Sequence, residues 1–162
     1  MGYDRKRAVG YAHLWAFERN PAWGVFDEMG GDCTNFVSQC LYAGCGQMNF
    51  TPVHGWYYEA LSRRAPAWTG VAELYRFLTH NQGPGPFGES RPLAFAQPGD
   101  AVFLALEKNR LSHAGLVVSA GPAPTPENVR IAAHTRDSDN RPLAAYPYQR
   151  LILVHIAGSR EG

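Results

Sequence analysis

The sequence predicts an α+β fold in which N-terminal helices pack on an antiparallel β-sheet. Helical spacing of apolar residues is confined to the first half of the 162-residue chain. Short apolar or β-branched runs separated by turn residues fill the second half. Helices followed by strands, without βαβ alternation, favour an antiparallel sheet. The length suggests a single domain over residues 1–162.

Three helices are predicted in the first half. In the first, at 4–19, apolar residues recur at i, i+3, i+4 and i+7, and Asn20-Pro21 ends it because a residue before proline avoids helical angles. The second, at 33–42, has Gly44 as its expected C-cap. The third, at 70–80, is expected to be capped by Thr69.

The remaining segments are predicted as loops and strands. Residues 44–68 look irregular and aromatic, with room for a short helix within 55–63, and NQGPGPFGES looks like a loop. The expected strands are AVFLAL at 101–106, HAGLVVS at 113–119, VRIAAHT at 129–135 and LILVHIA at 151–157.

Composition limits the functional classes. A formal net charge of +1 gives no basic footprint for nucleic acid, and no apolar run approaches the length of a membrane span. The start, MGYDRKRAVGYAH, lacks the apolar region of a signal peptide, although a signal could have been removed earlier. Three cysteines make no disulfide framework, and no metal-ligand spacing occurs, so we expect no cofactor and no metal. We expect a monomer.

Cys33 is the candidate nucleophile. Asp32 is expected to be the N-cap of the second helix, which places Cys33 at the first helical position. Unpaired N–H groups and the partial positive charge of a helix start stabilise a thiolate, so we expect a lowered pKa for Cys33. Gly30 and Gly31 let a substrate approach the backbone closely.

The other two cysteines are expected to be inert. Cys40 falls on the apolar side of the second helix with Phe36 and Leu41, which is typical of a core residue. Cys45 has no obvious base nearby in the sequence.

A nucleophilic cysteine needs a base, and His113 is the candidate among six histidines because it stands at the start of a strand. His134, near the end of the next strand, could hydrogen-bond the far nitrogen of His113 and fix its tautomer. Asp137 and Asp139 remain alternatives for this orienting role.

Several motifs together resemble the putative amidase domain family of bacterial proteins. That family is similar to the NlpC-type and CHAP cysteine peptidases and amidases, which have a papain-like fold. The resemblance covers about residues 3–158 and rests on these segments, in order: DRKRAVGYAHLWAFERNPAW, GGDCTNFVSQCLYAG, WTGVAELYRFL, PGDAVF, SHAGLVV and AAHT.

The resemblance implies a papain-like cysteine hydrolase with Cys33 as nucleophile, His113 as general base and His134 as the polar third residue. Asp32 and Asn35 belong to the nucleophile motif and are expected to shape its turn.

The chain also departs from the NlpC pattern. NlpC-type enzymes usually carry a tyrosine shortly before the nucleophile, and here Trp23, which has no hydroxyl, is the nearest aromatic candidate for its role. The second oxyanion donor would therefore be the Trp23 indole, Asn20 or backbone. By the same resemblance, the substrate is a peptide or a peptidoglycan fragment, and the protein is secreted or associated with the cell wall. The aromatic residues Trp56, Tyr57, Tyr58 and Trp68 could line a substrate groove or could be packing residues.

Two other functions remain open. An acyltransferase of the transglutaminase type would use the same acyl-enzyme and pass it to an amine. A non-catalytic module would bind peptidoglycan or a peptide through the aromatic loop, with Cys33 vestigial.

Overall fold

The computed structural model describes residues 2–162 and has the predicted α+β architecture with an antiparallel sheet. One six-stranded sheet carries the helices on one face, and a two-stranded hairpin lies beside them. The helices are α1 (Arg5–Trp15), α2 (Cys33–Cys45), α3 (Pro66–Thr69) and α4 (Val71–His80).

The first two helices begin where they were predicted. Asp4 caps α1 by accepting a hydrogen bond from the N–H of Arg7 at 3.0 Å, and the helix ends at Trp15, four residues before the predicted end. Helix α2 continues to Cys45, because the left-handed residue that ends it is Gly46 rather than Gly44.

The middle of the chain differs from the prediction in two ways. The expected short helix within 55–63 is replaced by a hairpin of β1 (Tyr58–Ala60) and β2 (Arg63–Arg64). Thr69 does not cap the third predicted helix, because it is the last residue of α3. The N-cap of α4 is Gly70, which has no side chain to accept a capping hydrogen bond.

The large sheet has the strand order β3-β8-β4-β5-β6-β7, with every neighbouring pair antiparallel. The four predicted strands are present, and two further strands lie at the two edges. One of them, β3, lies mostly in NQGPGPFGES, so the prediction of a loop there is wrong. The strands are β3 (Gly85–Arg91), β4 (Ala101–Glu107), β5 (Arg110–Ser119), β6 (Arg130–Ala133), β7 (Ser138–Pro142) and β8 (Arg150–Arg160).

The sheet separates two apolar clusters. The larger lies between sheet and helices, and β5 contributes Ala114, Leu116 and Val118 to it. The smaller covers the opposite face, to which β5 contributes Val117 and a short 3₁₀ turn after β7 contributes Leu143. Alternation along β5 therefore decides which side chains face α2.

Within residues 2–162, no helix combines the length and apolar character that crossing a bilayer requires.

Candidate functional site

Cys33 lies where the sequence places it, at the first residue of α2. Its side chain is 6% exposed, and Sγ is 3.8 Å from the hydroxyl oxygen of Thr34. The backbone of Ala114 in β5 also contacts the sulfur as a hydrogen-bonding group. The thiol thus sits between the start of the helix and the middle strands of the sheet.

The predicted low pKa of Cys33 is wrong for this closed structure. Burial raises the pKa of the thiol, and the opposing hydrogen bonds from Ala114 and Thr34 do not cancel that effect. The negative charge of Asp32 raises the pKa of Cys33 slightly further. The helix start therefore holds a neutral thiol at pH 7 rather than a preformed thiolate.

His113 lies in β5 and is 5% exposed. Its Nε2 is buried and has no hydrogen-bond partner among residues 2–162. The ring stacks on Tyr146, with ring centroids 5.6 Å apart and an interplanar angle of 29°. Burial, and secondarily the charge of Arg141, lower the pKa of His113 to about 4, so the imidazole is neutral at pH 7.

Cys33 and His113 are neighbours through the backbone rather than through a direct hydrogen bond. Ala114, whose backbone contacts Sγ, directly follows His113, but no hydrogen bond joins Sγ to an imidazole in the described chain. Contact with Tyr146 places the His113 ring toward the smaller apolar cluster, while Ala114 belongs to the helix side. The imidazole and the sulfur are thus directed to opposite faces of the sheet and are not aligned for proton transfer in this structure.

The predicted contact between His134 and His113 is absent, because both ring nitrogens of His134 are engaged elsewhere. Its Nδ1 donates to Oδ2 of Asp32 at 2.6 Å, and its Nε2 is 2.9 Å from the carbonyl oxygen of Trp15. The ring also stacks on Phe36 with centroids 4.0 Å apart. His134 therefore supports the turn that precedes Cys33 and does not orient His113.

Neither alternative orienting residue contacts His113. Asp137 accepts two hydrogen bonds from Arg19, at 2.9 and 3.0 Å, and Asp139 pairs with His13 at 2.8 Å. Among residues 2–162, the third position of a triad is therefore held by none of the three predicted candidates.

Asp32 and Asn35 do shape the turn before Cys33. Oδ1 of Asp32 accepts from the N–H of Phe26 at 2.7 Å and from Nδ2 of Asn35 at 3.0 Å. Nδ2 of Asn35 also donates to the carbonyl of Gly24 at 2.9 Å. Asp32 occupies the N-cap position, yet its carboxylate makes no capping bond to α2, which differs from the predicted cap.

The two side chains predicted as oxyanion donors are engaged in local contacts. Asn20 accepts from the N–H of Ala22 at 2.9 Å and donates to the Tyr11 hydroxyl at 3.2 Å. Trp23 stacks on Trp68, with ring centroids 5.3 Å apart. Neither side chain hydrogen-bonds Cys33, whose sulfur instead contacts the backbone of Ala114 and Thr34.

Trp56 is a core residue, not part of an open groove. Its ring is fully buried, and the centroids of the Trp56 and Trp68 rings are 4.7 Å apart. The indole N–H of Trp56 donates a hydrogen bond to Oγ of Ser38 at 3.0 Å. Trp68 is equally buried, so only Tyr57 and Tyr58 of the aromatic segment reach the surface. A substrate groove lined by both tryptophans is excluded in this structure.

Sequence reasoning missed Arg19, which connects the loop before Cys33, through Asp27, to the loop after β6, through Asp137. Its guanidinium forms paired hydrogen bonds with Asp27, at 2.9 and 2.8 Å, and with Asp137. It also lies 3.6 Å from Asp32. Nothing in the spacing of Arg19 along the first helix distinguishes it from a solvent-exposed cation.

The larger of the two described cavities, about 620 Å³, is not at Cys33. It lies between the 49–54 segment and α4, and its walls include Val53, Phe77 and Asn81. We place the candidate site at Cys33 because the chemistry of the thiol and imidazole, and not the size of a cavity, defines it.

Comparison with known proteins places the chain in a family. The family model described as "Putative amidase domain" matches residues 2–157. The protein named "Uncharacterized protein YhbB" of Bacillus subtilis (strain 168) is 31% identical over 142 residues, which cover 86% of this chain and 43% of YhbB. The chain thus spans less than half the length of that relative. No solved structure gives a significant match. The extent of the family match shows that this chain belongs to the putative amidase domain family.

Proposed function

We propose that this protein is a cysteine-dependent amide hydrolase with Cys33 as nucleophile and His113 as general base. Membership of the putative amidase domain family supports hydrolysis of an amide bond. The observation that carries the cysteine mechanism is the position of Cys33 at the start of α2, with the backbone next to His113 against its sulfur.

The unpaired N–H groups at the start of α2 support the proposal. No oxygen among residues 2–162 accepts a hydrogen bond from the N–H of Cys33, Thr34 or Asn35. Preorganised backbone donors of this kind stabilise the oxyanion of a tetrahedral intermediate, and one such donor is worth on the order of 3 kcal/mol. The start of α2 therefore offers the hydrogen-bond donors for the oxyanion that acyl transfer requires in addition to a nucleophile.

The protonation states favour a neutral resting pair. With the pKa of Cys33 raised and that of His113 lowered to about 4, the thiol and the imidazole are both neutral at pH 7. In the proposed reaction, His113 accepts the thiol proton as Sγ bonds to the amide carbonyl carbon. The oxyanion collapses, the C–N bond breaks, and the amine leaves with the proton from His113.

Deacylation follows the same route. His113 removes a proton from water, the resulting hydroxide attacks the thioester, and the thiol of Cys33 is restored as the acid leaves. Because the His113 ring stacks on Tyr146, toward the face of the sheet opposite to Cys33, the proposed reaction requires the ring to move toward Sγ when substrate binds.

The substrate class that we propose is a peptide amide, with cell-wall peptides as the first candidates. This choice rests on the resemblance of the GGDCTNFVSQ and SHAGLVV segments to the putative amidase domain family, and on the similarity of that family to NlpC-type and CHAP enzymes. Trp56 and Trp68 do not support this choice, because both are fully buried and cannot contact a substrate in this structure.

The test uses soluble peptidoglycan fragments incubated with the protein and analysed by mass spectrometry. Cys33→Ala and His113→Asn should each abolish the release of amide-cleavage products. Cys40→Ala is the matched control, because Cys40 is a fully buried thiol on the same helix and should leave cleavage in place. Cleavage retained by a folded Cys33→Ala protein would overturn the proposed mechanism.

A further inference from the structure

A buried carboxylate and a buried imidazole meet immediately before the nucleophile. Nδ1 of His134 donates to Oδ2 of Asp32 at 2.6 Å, and both side chains are almost fully buried. Asp32 precedes Cys33 directly, whereas His134 lies 102 residues further along the chain. The contact therefore joins the start of α2 to the end of β6.

His134 has little freedom to move away from Asp32. Phe36 covers one face of the ring, and the carbonyl of Trp15 and the guanidinium of Arg19 lie 2.9 and 3.2 Å from Nε2. A carboxylate cannot donate, so Nδ1 carries the proton in this contact. The ring thus presents a fixed donor to Asp32.

This donor fixes the Oδ2 side of the Asp32 carboxylate. An aspartate at an N-cap normally accepts hydrogen bonds from the second or third helical N–H, which here belong to Thr34 and Asn35. In this structure Oδ1 accepts from the backbone N–H of Phe26 and from Nδ2 of Asn35, and Oδ2 accepts from His134. The carboxylate makes no bond to the helix N–H groups. The donors at the start of α2 stay available for a substrate.

We propose that His134 is a positioning residue that holds the Asp32 carboxylate away from the start of α2, and so keeps the N–H groups around Cys33 free for the oxyanion. The inference rests on the proposed function. Without His134, Oδ2 would lose its donor and could turn toward the N–H groups of Thr34 and Asn35. There it would compete with the oxyanion and oppose a thiolate at Cys33 by like charge.

The experiment measures two quantities: the rate at which iodoacetamide modifies Cys33, read by mass spectrometry, and kcat and KM on soluble peptidoglycan fragments. His134→Ala should slow modification of Cys33 by roughly tenfold. It should lower kcat by roughly 100-fold, with KM little changed, because the lost interaction acts on the transition state. Modification of the half-buried Cys45 in the same sample provides an internal reference.

Rescue distinguishes positioning from packing. His134→Asn keeps a donor near the position of Nδ1 and should recover most of the modification rate, while His134→Ala should not. His155→Ala is the matched control, because it removes the partner of another buried carboxylate, Asp100, through a contact of 3.2 Å in a different part of the sheet. It should leave the rate at Cys33 unchanged.

A double-variant cycle tests the route through Asp32. In an Asp32→Ala background no carboxylate remains that could move toward the start of α2. Adding His134→Ala should therefore change the modification rate of Cys33 less than twofold. A full tenfold effect in that background would overturn the proposal, as would failure of His134→Asn to recover the rate. If Asp32→Ala does not fold, the proposal is tested by the modification rates of His134→Asn and His134→Ala alone.

The proposed function can fail separately. Cleavage that persists in Cys33→Ala would remove the cysteine mechanism, yet the modification rate of Cys33 would still test the link between His134 and Asp32.

Discussion

The indole N–H of Trp68 donates a hydrogen bond to Oδ1 of Asn35 across 3.0 Å, and both side chains are buried. The contact ties α3 to the first turn of α2, two residues after Cys33. Since Asn35 also holds the carbonyl of Gly24 and the carboxylate of Asp32, one amide organises three segments around Cys33.

Asn35→Ala should destabilise the protein by about 3 kcal/mol, because it leaves buried partners without a hydrogen bond. Chemical denaturation at pH 7 measures the loss in the free energy of unfolding. Gln82→Ala, at an exposed loop position, is the control and should change that free energy by less than about 0.5 kcal/mol. Equal effects for the two variants would contradict the organising role of Asn35.

The sequence predicted the inner part of the sheet better than its edges. Strands β4, β5 and β8 are inner strands with long apolar runs, which is the pattern that buried strands impose. The unpredicted strands, β3 (GPFGESR) and β7 (SDNRP), are the two edges of the sheet. They carry glycine, proline and charge because an edge strand is stabilised by backbone pairing on one side and is exposed on the other.

The site could be predicted only where the signal was local. The position of Cys33 follows from Gly30, Gly31 and Asp32 beside it, and the structure has the thiol there. The pairing of His134 with Asp32 depends on how β6 packs against α2, and no pattern within either segment specifies it. The pKa of Cys33 likewise depends on burial by residues distant in sequence.

The buried imidazole of His113 should make stability depend on pH. Its pKa is about 4 in the folded protein, below the ordinary value of 6.5, so the unfolded chain binds more protons between these values. The stabilisation is complete above pH 6.5 and is lost as the pH falls toward 4. His113 alone should lower the free energy of unfolding by about 3 kcal/mol between pH 7 and pH 4.

Denaturation curves of wild type and His113→Gln at several pH values measure this contribution. The variant should show a shallower loss of stability between pH 6.5 and pH 4, whatever its absolute stability. His54→Gln, at an exposed position, should keep the wild-type slope. Parallel curves for wild type and His113→Gln would show that His113 is not held neutral by burial.

Ser38 connects the two buried tryptophans. Its Oγ accepts from Nε1 of Trp56 at 3.0 Å and donates to the carbonyl of Trp68 at 2.9 Å. Ser38→Ala should cost about 2 kcal/mol of unfolding free energy because both partners remain buried without it. Differential denaturation against Ser62→Ala, an exposed serine, measures the effect. A cost no larger than that of Ser62→Ala would argue against this connection.

Two glycines should respond to alanine in opposite directions. Gly10 is an exposed residue inside α1, and a Cβ there would meet nothing within 4 Å, so Gly10→Ala should stabilise the protein by about 1 kcal/mol through helix propensity. Gly88 follows the register shift between β3 and β8, where a Cβ would overlap the carbonyl oxygen of His155. Because that oxygen belongs to the backbone of an inner strand, Gly88→Ala should destabilise the protein by more than Gly10→Ala stabilises it. Thermal unfolding of both variants tests the sign of each change, and a stabilised Gly88→Ala protein would mean that β3 can move away from β8 at little cost.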